Sequence, residues 1–419
     1  MIKTGFEDQF SLIADHRQLG KIHHPLISVF FIAVAAAVAS CDDWEEAICW
    51  AEEKYEWLQK FIKLPYGIPS ESTFQRVFRM INPKQFEKCF INWARELAHE
   101  MERSNVSIDG KTLCGAKENA GEKSAVHIVS AFLCNKGLTL GEVKTAEKSN
   151  EITAIPELLK LLSIENTIVT IDAGGTYTDI ARQIVKENKA DYVLALKGNQ
   201  ENMHKDAILL FTGYDLYKDA DADYSVGFSQ IPIYISVAGT SNMPANAPAF
   251  TNVEFESTQT VEKGHGRIER RVYVLVNDIP WIHRFSEWEG LKSVGLAVSF
   301  TTNVKTGVTS TDGRFFISSL SNVAEFASSV RNHWQIESNH WTLDVTFGED
   351  KSRVRKDYEP QNLAMIRKLA LNLLKVEKQK EQQDDSISGR RHRESYKVKR
   401  KRAMMRDEYL EQIMVGNFQ

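Results

Sequence analysis

The sequence has few cysteines, no long apolar stretch and no large excess of charge. Its five cysteines among 419 residues are scattered without CxxC spacing. This indicates neither a disulfide framework nor a zinc knuckle, and it fits a reducing cytoplasm. The start has no signal-peptide pattern. The most apolar run, "PLISVFFIAVAAAVAS" (residues 25–40), is shorter than the ~20 residues that cross a bilayer, so it predicts a buried helix and no membrane partner.

Charge is nearly balanced over the whole chain. With 52 Lys and Arg against 56 Asp and Glu, the formal net charge is −4, so any surface for a polyanion must be a local patch. One such patch is "GRRHRESYKVKRKRAMMR" (residues 389–406), with nine Lys or Arg against one Glu. The pattern is typical both of a solvated tail and of an arm that binds phosphates. We assign residues 379–419 to a basic C-terminal tail.

Residues 1–103 have the pattern of an all-helical domain. Their apolar side chains fall at helical spacing in the apolar run and in "DWEEAICWAEEKYEWLQKFI", "STFQRVFRMI" and "KQFEKCFINWARELAHEM". The "YGIPSEST" link supplies a glycine, a proline and capping hydroxyls before the next helix. We expect Trp44, Trp50 and Trp57 to form the core of this domain, with a base-stacking surface as the alternative.

From residue 104 the apolar spacing changes to that of an α/β fold. Three antiparallel strands and a helix are predicted by "VSIDGKTL", "AVHIVSAFLC", "LTLGEVKTA" and "EITAIPELLKLL". Strand and helix then alternate in "TIVTIDA", "YTDIARQIVKEN", "DYVLALK" and "QENMHKDAILLF". This is the element order of a ribonuclease H-like fold. Its core would comprise residues 104–212 and 311–378, on either side of a β-rich insertion at 213–310.

Two aspartates occupy informative places in these strands. Asp109 lies within the first strand, and Asp172 lies at the C-terminal end of the fourth, where open α/β sheets gather their ligands. The two strands are neighbours in the ribonuclease H-like fold, so we expect the carboxylates to face each other across a few ångströms. Because two such carboxylates repel each other, a divalent cation is the usual resolution.

The β-rich insertion contains one strongly basic segment. Its strands are predicted by "IPIYISVAG", "NVEFESTQTV", "RRVYVLVND" and "VGLAVSFTTN". The glycines of "KGHGRIERR" permit close backbone approach, and His265, Arg267, Arg270 and Arg271 are suited to holding phosphates. A basic hairpin without a partner is the alternative.

The segment "HWQIESNHWTLDVTFGED" (residues 333–350) concentrates acids, histidines and tryptophans. On a helix, His333, Glu337, His340 and Asp344 fall on one face. Glu337 is therefore a candidate third carboxylate for two Mg²⁺ ions ~4 Å apart, one activating the attacking oxygen and one stabilising the leaving oxygen of phosphoryl transfer. A zinc site is an alternative, although HxxxExxH is not the HExxH spacing. A surface helix with salt bridges is the third interpretation.

The whole set of segments resembles one family. "GIPSESTFQRVF", "VSIDGKTL", "TIVTIDA", "DYVLALKGNQ", "HGRIERR", "FFISSL", "HWQIE" and "HWTLDVTFGEDKSRVR", in this order, resemble the H-repeat-associated (ISAs-type) DDE transposases of bacterial insertion sequences. The resemblance implies a ribonuclease H-like core with Asp109, Asp172 and Glu337 as catalytic residues and as ligands of two Mg²⁺ ions, for which Mn²⁺ substitutes. It implies metal-dependent cleavage and strand transfer of DNA at insertion-sequence ends.

The resemblance also implies partners. These are double-stranded DNA, as transposon ends and target, and a second copy of the chain in the synaptic complex. The protein would be cytoplasmic, and nucleoid-associated when bound to DNA. The residues expected to contact DNA are Lys111, Lys197, Asn199, His265, Arg267, Arg270, His333, Trp334, Lys351, Arg353 and Arg355.

Several of these residues have a second interpretation. Lys197 is equally suited to an ion pair with a nearby acid. Trp334 and Trp341 either stack on a flipped base or pack into the core, and core packing is the expectation. We assign structural or supporting hydrogen-bonding roles to the acids that follow, namely Asp344, Glu349 and Asp350.

The sequence departs from the family's pattern beside Glu337. Members commonly read IEN-x-LHW, whereas "IESNHW" has one residue fewer between Glu337 and His340. A helix turns ~100° per residue, so the helix face changes unless a bulge absorbs the difference. Members also tend to carry Arg, Met and Gln where Cys114, Gly174 and Tyr177 stand. A catalytically impaired relic that binds DNA without cutting it is therefore the alternative function.

Overall fold

A computed structural model describes residues 5–98, 101, 103–113, 126–145, 151–212, 255–384 and 394–416. The chain divides into two compact units, the first comprising Met1–Ile164 with Trp334–Gln419 and the second Glu165–His333. Among the described helices, none is both long and apolar enough to cross a membrane. The apolar run at residues 25–40 instead forms a buried helix of the first unit, as predicted.

The first unit begins with six helices. They are α1 (Gly5–Phe10), α2 (Leu26–Val38), α3 (Trp44–Glu53), α4 (Tyr55–Leu58), α5 (Glu71–Met80) and α6 (Pro83–Ala98). Local chemistry sets where α3 begins, because the Asp43 carboxylate accepts a hydrogen bond from the Glu46 amide and caps the helix. Trp44, Trp50 and Trp57 are buried, which confirms that they are core residues.

One apolar core joins both ends of the chain in this unit. The helices α11 (Glu359–Gln383) and α13 (Asp407–Val415) contribute leucines to the same cluster as the phenylalanines of α2 and α5. Each buried Leu or Phe contributes ~1.5–3 kcal/mol relative to its exposed state. The predicted boundary at residue 103 therefore does not separate two cores, since the N-terminal and C-terminal helices stabilise each other.

The first unit also carries three antiparallel strands. They are β1 (Asn105–Thr112), β2 (His127–Leu133) and β3 (Leu138–Lys144), in the order β3-β2-β1. The turn between β2 and β3 places Gly137 at a φ of +64°, a conformation that glycine adopts without strain. The helix α7 (Glu151–Leu161) packs on β2 and β3.

The second unit begins with the predicted alternation of strand and helix. β4 (Ile168–Ile171) and β5 (Asp191–Leu196) pair in parallel, with α8 (Thr178–Arg182) between them in the chain and α9 (Glu201–Thr212) after β5. With β1 to β3 preceding them in the sequence, these elements have the order of the ribonuclease H-like fold. The predicted fold class is confirmed.

The β-rich region extends the sheet of the second unit. It comprises β6 (Glu256–Gly264), β7 (Arg267–Val276) and β8 (Ser293–Asn303), followed by β9 (Thr309–Ser318). Within this unit the strand order is β4-β5-β9-β8-β7-β6, and every pair after β4 and β5 is antiparallel. The predicted strand "IPIYISVAG" and residue Cys114 lie outside the described residues.

The helix α10 (Val323–Thr346) carries the acid- and histidine-rich segment. It is an unbroken α-helix, so no bulge within it absorbs the shorter spacing after Glu337. Its residues up to His333 belong to the second unit, and those from Trp334 onwards belong to the first.

The described part of the C-terminal segment is folded, which corrects the expectation of a solvated tail, whereas phosphate binding by this segment stays a prediction. It forms α12 (Tyr396–Met405) and α13. Lys399 and Arg400 of α12 are buried, and they pair with Glu381 and Asp42. One side of α12 therefore faces inward, and its charges are paired with carboxylates of other elements.

Candidate functional site

The three carboxylates singled out by the sequence lie on three different elements. Asp109 lies in β1, opposite Ser130 of β2, and its side chain is 22% exposed. Glu337 lies on α10 and is exposed. Asp172 directly follows β4, is exposed, and accepts a hydrogen bond from the Gly174 amide at 3.0 Å. No group of three His, Cys, Asp or Glu side chains forms a metal-binding cluster in the described part of the chain, so the metal site stays a prediction.

The predicted common face of α10 is confirmed for His340 and Asp344, which both contact β1. His340 places Nδ1 3.4 Å from Oδ2 of Asp109, and Asp344 reaches Lys111 of the same strand. Glu337 lies one turn before His340 on this side of the helix. The other ring nitrogen of His340, Nε2, is buried without a hydrogen-bond partner among the described residues.

Lys111 has a different role from the predicted phosphate contact. Its ammonium is buried between the carboxylates of Asp344 and Glu349, with 10% of the side chain exposed. Burial alone would lower the pKa of Lys111, but the charge of Glu349 and the hydrogen bonds that the ammonium donates to both acids outweigh it and raise that pKa. Both carboxylates hold the ammonium, so its charge is already paired within the protein. The structural roles expected for Asp344 and Glu349 are confirmed.

A buried network of charges continues behind Lys111. Burial raises the pKa of Glu349, but Lys368, Lys111 and Arg367 together hold that pKa below its ordinary value. Lys368 of α11 also pairs with Glu142 of β3. The network therefore links the strands of the first unit to α11, and no local pattern in the sequence indicates it.

The remaining predictions on α10 concern three aromatic residues, His333, Trp334 and Trp341. His333 belongs to the second unit, where its Nδ1 lies 2.9 Å from Oγ1 of Thr170 on β4. Trp334 and Trp341 of the first unit are 38% and 62% exposed. The expectation that these tryptophans pack into the core is therefore wrong.

The loop after β4 is tied to the loop after β5. The Asn199 side-chain amide donates to the Ala173 carbonyl at 2.7 Å, and Thr176 donates through Oγ1 to the Ala195 carbonyl at 2.6 Å. These bonds hold the backbone beside Asp172. Asn199 thus has a structural contact, while Lys197 is exposed and forms no ion pair with any described residue.

The predicted phosphate-binding hairpin has its cations engaged with neighbouring side chains. His265 and Gly266 form the β6–β7 turn with φ of 48° and 76°, the signs that a tight hairpin turn requires. Arg267 lies 3.6 Å from Glu269, and Arg270 donates to Gln259 at 3.0 Å. Arg271 also pairs with Glu262 and Glu269. These arginines stabilise the hairpin through contacts with its own side chains, and a DNA contact by them stays a prediction.

A basic loop follows α10 in the first unit. Its cations are exposed, and no ion pair joins them to another described residue; they are Lys351, Arg353, Arg355 and Lys356. They line a cavity of about 630 Å³ together with other residues that include Asp43 and Glu45. Of the predicted DNA contacts, those in this loop and Lys197 keep their charge most available.

Comparisons with known proteins decide the family. The family model described as "Transposase DDE domain" matches residues 100–373, and the model described as "DDE_Tnp_1-associated" matches residues 7–94. The chain belongs to the DDE transposase family. This transposase is 38% identical over 415 residues to "Putative transposase YncI" of Escherichia coli O157:H7, which covers 98% of this chain and 94% of that protein.

A second relative supports the resemblance to the H-repeat-associated group. The transposase is 33% identical over 377 residues to "H repeat-associated putative transposase YhhI" of Escherichia coli K12, covering 88% of this chain and 90% of that protein. Among solved structures, it is similar to a piggyBac transposase synaptic complex with hairpin DNA at a TM-score of 0.41 and 11% identity. That match covers 98% of this chain and 80% of the other.

Proposed function

We propose that this transposase cuts DNA at the ends of its insertion sequence and joins the ends to a target, with Asp109, Asp172 and Glu337 as metal ligands. The observation that carries the proposal is the family match over residues 100–373, which includes all three carboxylates. Each of them is at least partly open to solvent. Carboxylate oxygens are the donors that Mg²⁺ prefers, and Mn²⁺ accepts them too, so the donor set fits two such ions.

The chain's own residues would position the ligands and hold the substrate. His340 contacts Asp109 and limits how its carboxylate turns. The unbroken α10 fixes Glu337 one turn from that contact. When bound, two Mg²⁺ ions supply activation of the attacking oxygen and stabilisation of the leaving oxygen.

The proposed DNA contacts are the cations that the fold leaves exposed. Lys351, Arg353 and Arg355 have the charge and exposure needed to neutralise phosphates. Lys197 is equally exposed in the second unit. Because two transposon ends must be paired, we propose that two copies of the chain act together.

Cleavage of a plasmid that carries the gene's own flanking DNA tests the proposal, in Mg²⁺ and in Mn²⁺. Glu337→Gln is compared with wild type and with Glu157→Gln, a matched change of an exposed carboxylate on α7. We expect Glu337→Gln to slow cleavage on the order of 100-fold or more, because a metal ligand is lost, while end binding persists.

Each other outcome has a definite meaning. Equal cleavage by Glu337→Gln and wild type would show that Glu337 is not a metal ligand. If all three proteins bind the ends and none cuts them, the protein binds DNA without the chemistry, and the cleavage proposal fails.

A further inference from the structure

Two polar contacts join β1 to the C-terminal half of α10, and both lie in the first unit. Asp109 and Lys111 are two residues apart on the strand, so their side chains point to the same face. Asp109 meets His340, and Lys111 meets Asp344. His340 and Asp344 are four residues apart on the helix, which makes them neighbours on one side of it.

Glu337 lies on the same side of α10 but contributes to neither contact. It is exposed and lies three residues before His340. Because a helix turns ~100° and rises ~1.5 Å per residue, the direction of the Glu337 side chain depends on how α10 is rotated about its axis. Two contacts spaced along the helix restrict that rotation more strongly than one contact does.

The Lys111 contact is the more strongly held of the two. Its ammonium is shared by Asp344 and by Glu349, which lies in the turn after α10 and has 1% of its side chain exposed. Without the ammonium, Asp344 and Glu349 would repel each other more strongly, because they would lose the cation that they share. Lys368 and Arg367 would still act on Glu349. Asp344, with 26% of its side chain exposed, would relieve the repulsion by turning towards solvent, and α10 would move with it.

We propose that Lys111 is a positioning residue, which fixes the rotation of α10 through Asp344 and Glu349 so that Glu337 keeps its alignment with Asp109. The role of Asp109 and Glu337 as metal ligands rests on the proposed function. The anchoring of α10 does not, because it depends only on contacts within the first unit. Lys111 itself touches neither DNA nor metal.

Amide hydrogen exchange over residues 334–346 tests the anchoring without DNA or metal. Lys111→Met keeps the length of the side chain and removes its charge, and Lys111→Arg is the conservative variant. Lys144→Met is the matched control, since Lys144 is exposed at the end of β3. We expect exchange in Lys111→Met to be ~10-fold faster or more, Lys111→Arg to restore much of the protection, and the control to match wild type.

Single-turnover cleavage and end binding test the consequence for the chemistry. At saturating end DNA, we expect Lys111→Met to cleave ~10–100-fold more slowly than wild type, the usual effect of removing support from a metal ligand. Its dissociation constant for end DNA should stay within about twofold, because a buried cation releases no counterions from DNA.

The outcomes separate this proposal from the proposed function. Unchanged exchange over residues 334–346 in Lys111→Met overturns the anchoring, whatever cleavage does. Faster exchange with wild-type cleavage overturns the link to Glu337. If wild type itself fails to cut, the proposed function fails and exchange still decides the anchoring. If Lys111→Met does not fold, Asp344→Asn removes one of the two carboxylates, and the same comparison is made with it.

Discussion

Two basic segments of the first unit have similar sequences and opposite surroundings. The loop cations, in "KSRVRK" after α10, are exposed and form no ion pair with described residues; they are Lys351, Arg353, Arg355 and Lys356. The helix cations, in "KVKRKR" of α12, have side chains 0%, 3% and 17% exposed and pair with carboxylates; they are Lys399, Arg400 and Arg402.

The difference shows that local charge density does not tell whether a cation is available to DNA. A buried cation is tolerated only when a carboxylate or several carbonyls accept its hydrogen bonds. Glu381 and Asp42 meet this need for α12, and nothing described does so for the loop. Of these two sets, the loop cations therefore keep their charge available to a polyanion, and the helix cations stabilise the fold.

Removing a helix cation should have the largest effect on stability. Arg400 donates to Asp42 at 2.7 Å and to the Ala37 carbonyl at 3.0 Å, and it lies 4.1 Å from the centre of the Phe347 ring. We expect Arg400→Met to lower the free energy of unfolding by ~3–5 kcal/mol, because the variant leaves buried acceptors unpaired. Urea denaturation measures the loss.

Lys397 provides the matched control on the same helix. It is exposed, so Lys397→Met should change stability by no more than ~0.5 kcal/mol. A loss in Arg400→Met as small as that of the control would break the comparison, since the helix cations would then not be structural.

Lys375 shows what happens to a buried cation whose described polar contact is an amide rather than a carboxylate. Lys375 of α11 contacts Oδ1 of Asn339 and lies 4.6 Å from the centre of the Phe132 ring. Burial lowers the pKa of Lys375 to about 7, with Cys134 acting weakly in the opposite sense. Unfolding restores the ordinary pKa of about 10.4, so above pH 7 the unfolded chain binds a proton that the folded chain has released. This group therefore makes the protein more stable as pH rises from 7.

Lys375→Met should remove this pH dependence. We expect the difference in unfolding free energy between wild type and variant to change by up to ~1.4 kcal/mol per pH unit, in favour of wild type, between pH 7 and about 8.5. Subtracting the two proteins cancels the titration of their other groups. A constant difference across this range would mean that Lys375 stays charged in the fold.

The fold could be predicted where the signal is local. β4 and β5 are short apolar runs, and apolar residues repeat at the period of a helix in α8, so these elements lie where the sequence places them. The packing of α12 could not be predicted in the same way. Arg400 and the Asp42 carboxylate it meets are 358 residues apart in the chain, and no local pattern indicates that they are partners.

In the candidate site, too, features set by local spacing could be predicted and contacts between distant residues could not. The common face of His340 and Asp344 follows from helical spacing alone, and it is confirmed. The role of Lys111 was missed because its partner Asp344 lies 233 residues away, and an isolated lysine after an aspartate equally suggests a phosphate contact. Exposure of Trp341 was missed because the sequence does not say which side of α10 faces the protein.

The loop cations give the smallest change, and it concerns DNA rather than folding. In Arg353→Gln/Arg355→Gln, two exposed guanidiniums are removed. If each neutralises one phosphate, the slope of log affinity for end DNA against log salt should fall by ~2 units, with stability unchanged within ~0.5 kcal/mol. Lys397→Gln/Lys401→Gln, which removes two exposed cations of α12, is the control.

An unchanged slope in the loop variant would show that exposure without a partner is not enough to make a cation a phosphate contact. An equal fall in the slope of the control would mean that the exposed cations of α12 also contact DNA. The difference between available and unavailable cations would then lie between the two faces of α12 rather than between the two segments.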